Sequence, residues 1–198
     1  MALQTPAPPQ QAVDAMHSTF QAFVDKGFRS PALRAADPTR LSLTQPHQVF
    51  MLGADDLVAG RGLEAAQPTR WRYLVREGDK IVAAASVLST GAGGDHDFSH
   101  INEGPFVAST ATALEYVRNH PELTSRDFEL RLLQVPALHT MAIWLHPKSG
   151  DGDLLVPLAP SPVAVLTGQA IPAAQLLSEL AEKAKQVVTV GPDDTSGG

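Results

Sequence analysis

Between residues 128 and 158 the chain sets out three strand-like apolar runs in quick succession: FELRLLQV, LHTMAIWLH and DLLVPL. Only a Pro-Ala step and the short loop PKSGDG separate them. Connections of a few residues join antiparallel neighbours, because a parallel crossover takes a dozen residues or more. The three runs therefore predict a meander. In the middle run His139, Met141, Ile143 and Leu145 alternate with Leu138, Thr140, Ala142 and Trp144, and both sets are largely apolar. A strand apolar on both faces is covered on both sides. Helices account for one layer, and a partner or the 28–70 segment for the other. By the same alternation His139 and His146, seven residues apart, point to opposite faces. Pro157 cannot donate to a ladder, so the third run is an edge or ends there.

Upstream, WRYLVREGDKIVAAASVL places Trp71, Tyr73 and Val75 on one face, turns at Gly78-Asp79 and returns through residues 81–88. A two-residue Gly-Asp loop between such runs predicts a hairpin. The small side chains Ala83, Ala84 and Ala85 invite either a closely packed helix or a hollow for a ligand. Three amphipathic helices follow from apolar positions at three- and four-residue spacing. The first covers 10–26 through Val13, Met16, Phe20, Phe23 and Val24, and Gly27 stops it. The second starts at Ser109 or Thr110 and runs to Asn119. The third follows Pro172 and carries Leu176, Leu177, Leu180, Ala184 and Val187 to about residue 188. Prolines at 31, 38, 46 and 68 break up residues 28–70, leaving an irregular excursion with room for a short strand over 48–52 and a short helix over 54–57.

These elements predict one α+β domain over residues 10–188, between a disordered Pro-rich tail at 1–9 and a disordered tail at 189–198. Its core is a five-stranded antiparallel sheet flanked by helices, in the order helix, strand, strand, helix, three strands, helix. In plan this order resembles roadblock/longin-type modules, PAS-like domains and secretion chaperones. The resemblance is one of architecture, and such sheets serve many functions.

Composition narrows the classes. The 198 residues contain no cysteine, which excludes structural disulfides, thiolate metal sites and a cysteine nucleophile. The formal net charge is −6, and the lysines and arginines are scattered. Phosphate contacts dominate nucleic-acid affinity, so an acidic chain without a basic stripe points away from that partner. No apolar run approaches the ~20 residues of a membrane span. The leading MALQTPAPPQQ has neither a basic start nor an apolar core, so the expected compartment is the cytoplasm.

The densest polar cluster is Asp95, His96, Asp97 and His100, four side chains of types that ligate zinc, manganese or iron within six residues. Glycines at 91, 93 and 94 loosen this loop, whereas metal sites draw ligands from rigid elements. They also do not lead directly into a helix, as a phosphate cradle requires. Asp151-Gly152-Asp153 lacks the further ligands of a calcium loop and fits a turn. No G-x-S-x-G elbow is present. Arg72 and Arg76 share the hairpin face opposite Trp71 and Tyr73, where they can pair across strands or clamp an acidic partner.

With no catalytic constellation, the expected function is a non-enzymatic protein-binding module of adaptor, chaperone-like or immunity type, needing no cofactor. Phe20, Phe23, Arg72 and Arg76 are its candidate contacts. Its partner is another protein or a second copy, the latter through a helix or an edge strand near Pro157. Two other classes are a metal-dependent hydrolase or metal-binding protein using Asp95, His96, Asp97 and His100, and a small-molecule sensor with its pocket over Ala83 to Ala85.

Overall fold

The computed structural model describes residues 3–88, 98–149, 152–162 and 167–189. In chain order these form α1 (Gln10–Lys26), α2 (Pro31–Ala35), β1 (Leu41–Met51), α3 (Ala54–Val58), β2 (Gln67–Glu77), β3 (Lys80–Leu88), β4 (Phe98–Asn102), α4 (Pro105–Asn119), α5 (Pro121–Thr124), β5 (Phe128–Val135), β6 (Thr140–Pro147), β7 (Leu154–Pro157), β8 (Ile171–Pro172) and α6 (Ala173–Thr189). The strands make a single sheet in the order β4-β3-β2-β1-β5-β6-β7-β8. All neighbours are antiparallel except β1 and β5, which run parallel over residues 48–51 and 131–134.

The succession of helix, short helix and four-stranded meander thus occurs twice, and the two meanders meet along the parallel pair. A twofold axis running along the strands between β1 and β5 would generate this mirrored order. Such an axis exchanges the faces of the sheet, which accounts for α1 lying on one face and α4 on the other. On the first face α1 and α2 pack Ala12, Met16, Phe20 and Leu33 on Trp71, Tyr73, Val75, Ala83, Ala85 and Val87. Further along that face α6 and α3 pack Leu176, Leu180, Ala184 and Leu57 on Leu133, Val135, Ala142, Trp144 and Leu155. On the opposite face Val107, Ala113, Leu114 and Val117 of α4 meet Leu74, Ala84, Leu130, Leu132, Ile143, Leu145 and Val156. The alanine run of β3 is therefore floored against helices on both faces, and the small side chains let both approach closely.

The meander of β5, β6 and β7, the β2–β3 hairpin turning at Gly78 (φ 55°) and helix α1 all lie where the residue pattern places them. The five-stranded antiparallel sheet does not survive: the sheet has eight strands and a parallel seam. The largest departure is β1. The strand expected over 48–52 is only its end: β1 starts at Leu41, crosses the supposed excursion and sits at the centre of the sheet, although Pro46 interrupts its pattern. A register shift between Thr44 and His47, with Gln45 at φ 50°, lets the strand carry a residue that cannot donate to the ladder. A strand that the residue pattern does not show at all, β4, follows a glycine-rich stretch. Another, β8, has two residues and pairs with Leu154 and Leu155, so β7 is not an edge; of the two readings of Pro157 the other holds, because the strand ends there.

Two local readings also change. Helix α4 begins at Pro105 behind Gly104 (φ 107°), a glycine-then-proline start, and not at Ser109. The Thr110 hydroxyl sits a turn inside and donates back to the Phe106 carbonyl at 2.6 Å, while Ser109 Oγ accepts from the Ala159 N–H at 2.8 Å. His139 adopts a left-handed conformation (φ 47°) in the turn before β6, so the strand alternation expected to orient it does not include it. At the N-terminus, the segment expected to be a loose tail is tied to β5: the Gln4 N–H donates to the Phe128 carbonyl at 2.9 Å and its carbonyl accepts from Leu130 at 2.8 Å.

Leu132 is fully buried beside the parallel seam. Leu132→Ala should lower the unfolding free energy by about 2–5 kcal/mol in urea titrations. Val58→Ala, at a position 38% exposed, should change it by no more than about 0.5 kcal/mol.

Candidate functional site

The outermost strand on one side of the sheet is β4, which among the described residues pairs only with β3. An unpaired strand edge presents a row of backbone donors and acceptors to any extended chain that reaches it. Beside it, between β4 and the α1–α2 corner, lies an open groove of about 450 Å³ whose apolar wall is Phe23, Phe28, Leu33, Phe98 and Ile101. Arg29, Ser30, Ser99 and His100 form its polar margin. The groove exists because three phenylalanines from different segments stack: the Phe23 ring lies 6.1 Å from Phe28 and 5.4 Å from Phe98, and Phe28 in turn lies 5.7 Å from Phe20.

Glu103, directly after β4, holds the far wall in place. Its carboxylate accepts the Leu33 N–H at 3.0 Å and the Ala32 N–H at 3.2 Å, joining the first turn of α2 to the end of β4. Partial burial acts to raise the Glu103 carboxyl. These backbone hydrogen bonds and the Arg34 charge outweigh it and hold the group below its ordinary value.

The candidate contacts divide. Phe20 is buried in the core under α1, whereas Phe23 is half-buried and faces the groove. Arg76 is exposed and lines a separate cavity of about 640 Å³ between the β2–β3 turn and α4. The walls of that cavity mix Arg76, Lys80 and Arg118 with Asp79 and Glu115, so its charges largely offset one another. Arg72 is only 2% exposed and lies beneath α4, out of reach of an exterior protein. Asp95, His96 and Asp97 lie outside the described residues. His100 stands on β4 with Nδ1 2.7 Å from Ser99 Oγ. Among the described residues no three of His, Asp or Glu gather into a group able to hold a metal ion. Of the Asp-Gly-Asp turn, Asp153 accepts from Trp144 Nε1 at 2.6 Å and pairs with His146 Nδ1 at 2.8 Å, a structural role.

Residue patterns gave no sign of Phe28, Leu33, Phe98 or Ile101 as groove residues, because β4 was not recognised as a strand. They also missed His47, which is fully buried against Arg72. His47 Nδ1 lies 2.8 Å from the Gln45 carbonyl, which only accepts, so Nδ1 carries the proton and Nε2 offers its lone pair toward Arg72 Nη1 at 3.5 Å. Burial first, and the Arg72 charge second, push the His47 pKa from 6.5 down to about 3.

Compared with known proteins, the chain matches no family model, no curated protein and no solved structure. Among the described residues no helix is long and apolar enough to cross a membrane.

The His47 environment has a consequence for acid stability. The unfolded chain takes up this proton as pH falls below 6.5, while the folded chain resists it down to about 3, so stability declines through that window. Urea midpoints of His47→Gln, measured from neutral pH down to about pH 4, should fall less steeply than those of the unsubstituted protein. Parallel declines would show that His47 does not titrate in this way.

Proposed function

We propose that the protein is a non-enzymatic protein-binding module that takes an extended segment of its partner along the free edge of β4. The observation that supports this is the coincidence, among the described residues, of a strand edge without a strand partner and an apolar groove alongside it. In strand addition the backbone hydrogen bonds supply affinity, and pockets beside the edge select alternate side chains. Here Phe23, Phe28, Leu33, Phe98 and Ile101 would receive an apolar side chain, and Arg29 at the margin favours a carboxylate on the partner. The opposite sheet edge offers much less, since β8 has only two residues.

A tagged copy used as bait in the native host identifies the partner, and peptides covering it can then be titrated by fluorescence anisotropy. Ser99→Lys, a charge placed on the edge strand, should weaken peptide binding at least tenfold without lowering the melting midpoint, and Arg29→Glu should weaken an acidic peptide. Lys183→Glu on distant α6 should bind normally. Failure to retain any partner, or equal binding by Ser99→Lys, would reject the reading.

A further inference from the structure

The α4 side of β2 carries a polar inclusion in an otherwise apolar layer. His47, Arg72, Ser86 and His100 are successive cross-strand partners on β1, β2, β3 and β4. Directly opposed residues of antiparallel strands project from the same face, so these four side chains form one row across the sheet. Arg70, two residues before Arg72, shares that face and donates to the Gln134 side-chain carbonyl of β5.

Arg72 is the anomaly. Its Nη2 is buried with no hydrogen-bond partner. Its Nη1 reaches only His47 Nε2 at 3.5 Å and Thr110 Oγ1 at 3.4 Å, both long and both neutral. Burial, with Arg70 close by, lowers its pKa to about 10, which leaves it charged at neutral pH. The ion pairs among the described residues are Asp56–Arg61, Glu129–Arg131, Asp153–His146 and Glu182–Lys185, and neither Arg70 nor Arg72 is in them. Buried charges are retained where a counter-charge and hydrogen bonds meet them, because an uncompensated one is costly. Two guanidiniums on one face, flanked by an imidazole that stays neutral, define a cationic site with unused donors. A guanidinium fork matches the geometry of phosphate and carboxylate oxygens.

We propose that this face of β2 binds a small oxyanion, of phosphate or carboxylate type, held by Arg72 and Arg70 and entered past His100. Arg72 forms the closed end of the site, while Arg70 is half-buried and His100 exposed, so the approach is from the β4 side. Its inner end, Arg72 and Arg70, lies on the α4 side of the sheet, whereas the apolar wall of the β4 groove lies toward α1; the two sites adjoin at His100, and anion binding read by melting is separable from peptide binding at the edge.

Inorganic phosphate and malonate, each at ionic strength matched with sodium chloride, are the probes, and the melting midpoint is the readout. Phosphate, malonate or both should raise the midpoint by about 5 °C at about a hundredfold excess over the dissociation constant. Arg72→Met removes the buried charge while keeping an apolar stem, so it should melt no lower than the unsubstituted protein without anion and lose the rise. Should Arg72→Met not fold, Arg72→Lys keeps the charge without the fork, and its affinity should drop at least tenfold. An unsubstituted protein indifferent to both anions, or an Arg72→Met variant that responds equally, would overturn the proposal. So would a response gained only in Asp95→Asn/Asp97→Asn, because the chain's own carboxylates would then be the counter-charge.

Discussion

The parallel pairing of β1 with β5 joins everything else. Neither four-stranded meander is covered by its own helices alone: α4, which leads the second half in sequence, packs on Leu74 and Ala84 of the first as well as on Leu130 and Ile143 of the second. Joined along residues 48–51 and 131–134, the two halves present continuous faces, on which α1, α3 and α6 share one side and α4 occupies the other. Val49 and Leu132, both fully buried at the seam, belong to the same apolar cluster as the inner side of α4. A parallel seam within an antiparallel sheet requires a long connection, and here that connection is itself structured, carrying β2, β3, β4 and α4.

The same arrangement determines where the sheet is open. Strands in the middle have partners on both sides, and on the β8 side the ladder narrows to two residues close to α6. Among the described residues only β4 combines a strand of five residues with a side that has no strand partner, and the aromatic stack of Phe20, Phe23, Phe28 and Phe98 places apolar surface next to it. Glu103 ties the end of β4 to α2, so the groove is bounded by two elements that are fixed to one another.

Against this apolar background the row of His47, Arg72, Ser86 and His100 stands out physically. In a layer built from Leu, Ile, Val and Ala, a guanidinium with an unused donor is an energetic expense that the fold does not require. The neutral state that burial and the Arg72 charge impose on His47 deepens the imbalance, since the imidazole adds no charge of its own and offers Arg72 only a lone pair. The inclusion lies on the α4 face of these strands and the apolar wall of the edge groove on the α1 face, with His100 at the margin of both.

Short-range pattern by itself determined α1, the β2–β3 hairpin, the meander of β5 to β7 and the apolar character of both faces of β6. These follow from periodicity and turn chemistry within stretches of some twenty residues. Only the tertiary structure decided the number of strands and the parallel seam, because β1 hides its pattern behind Pro46 and a bulge, and β4 follows a glycine-rich stretch. The candidate sites were less legible still. The groove depends on Phe23, Phe28 and Phe98 meeting from three segments, and the arginine row depends on the register of four strands. Arg72 reads in sequence as an ordinary solvent-side residue of a hairpin. It is buried because α4, more than thirty residues further along, lies across it, and no local pattern encodes a contact made at that distance.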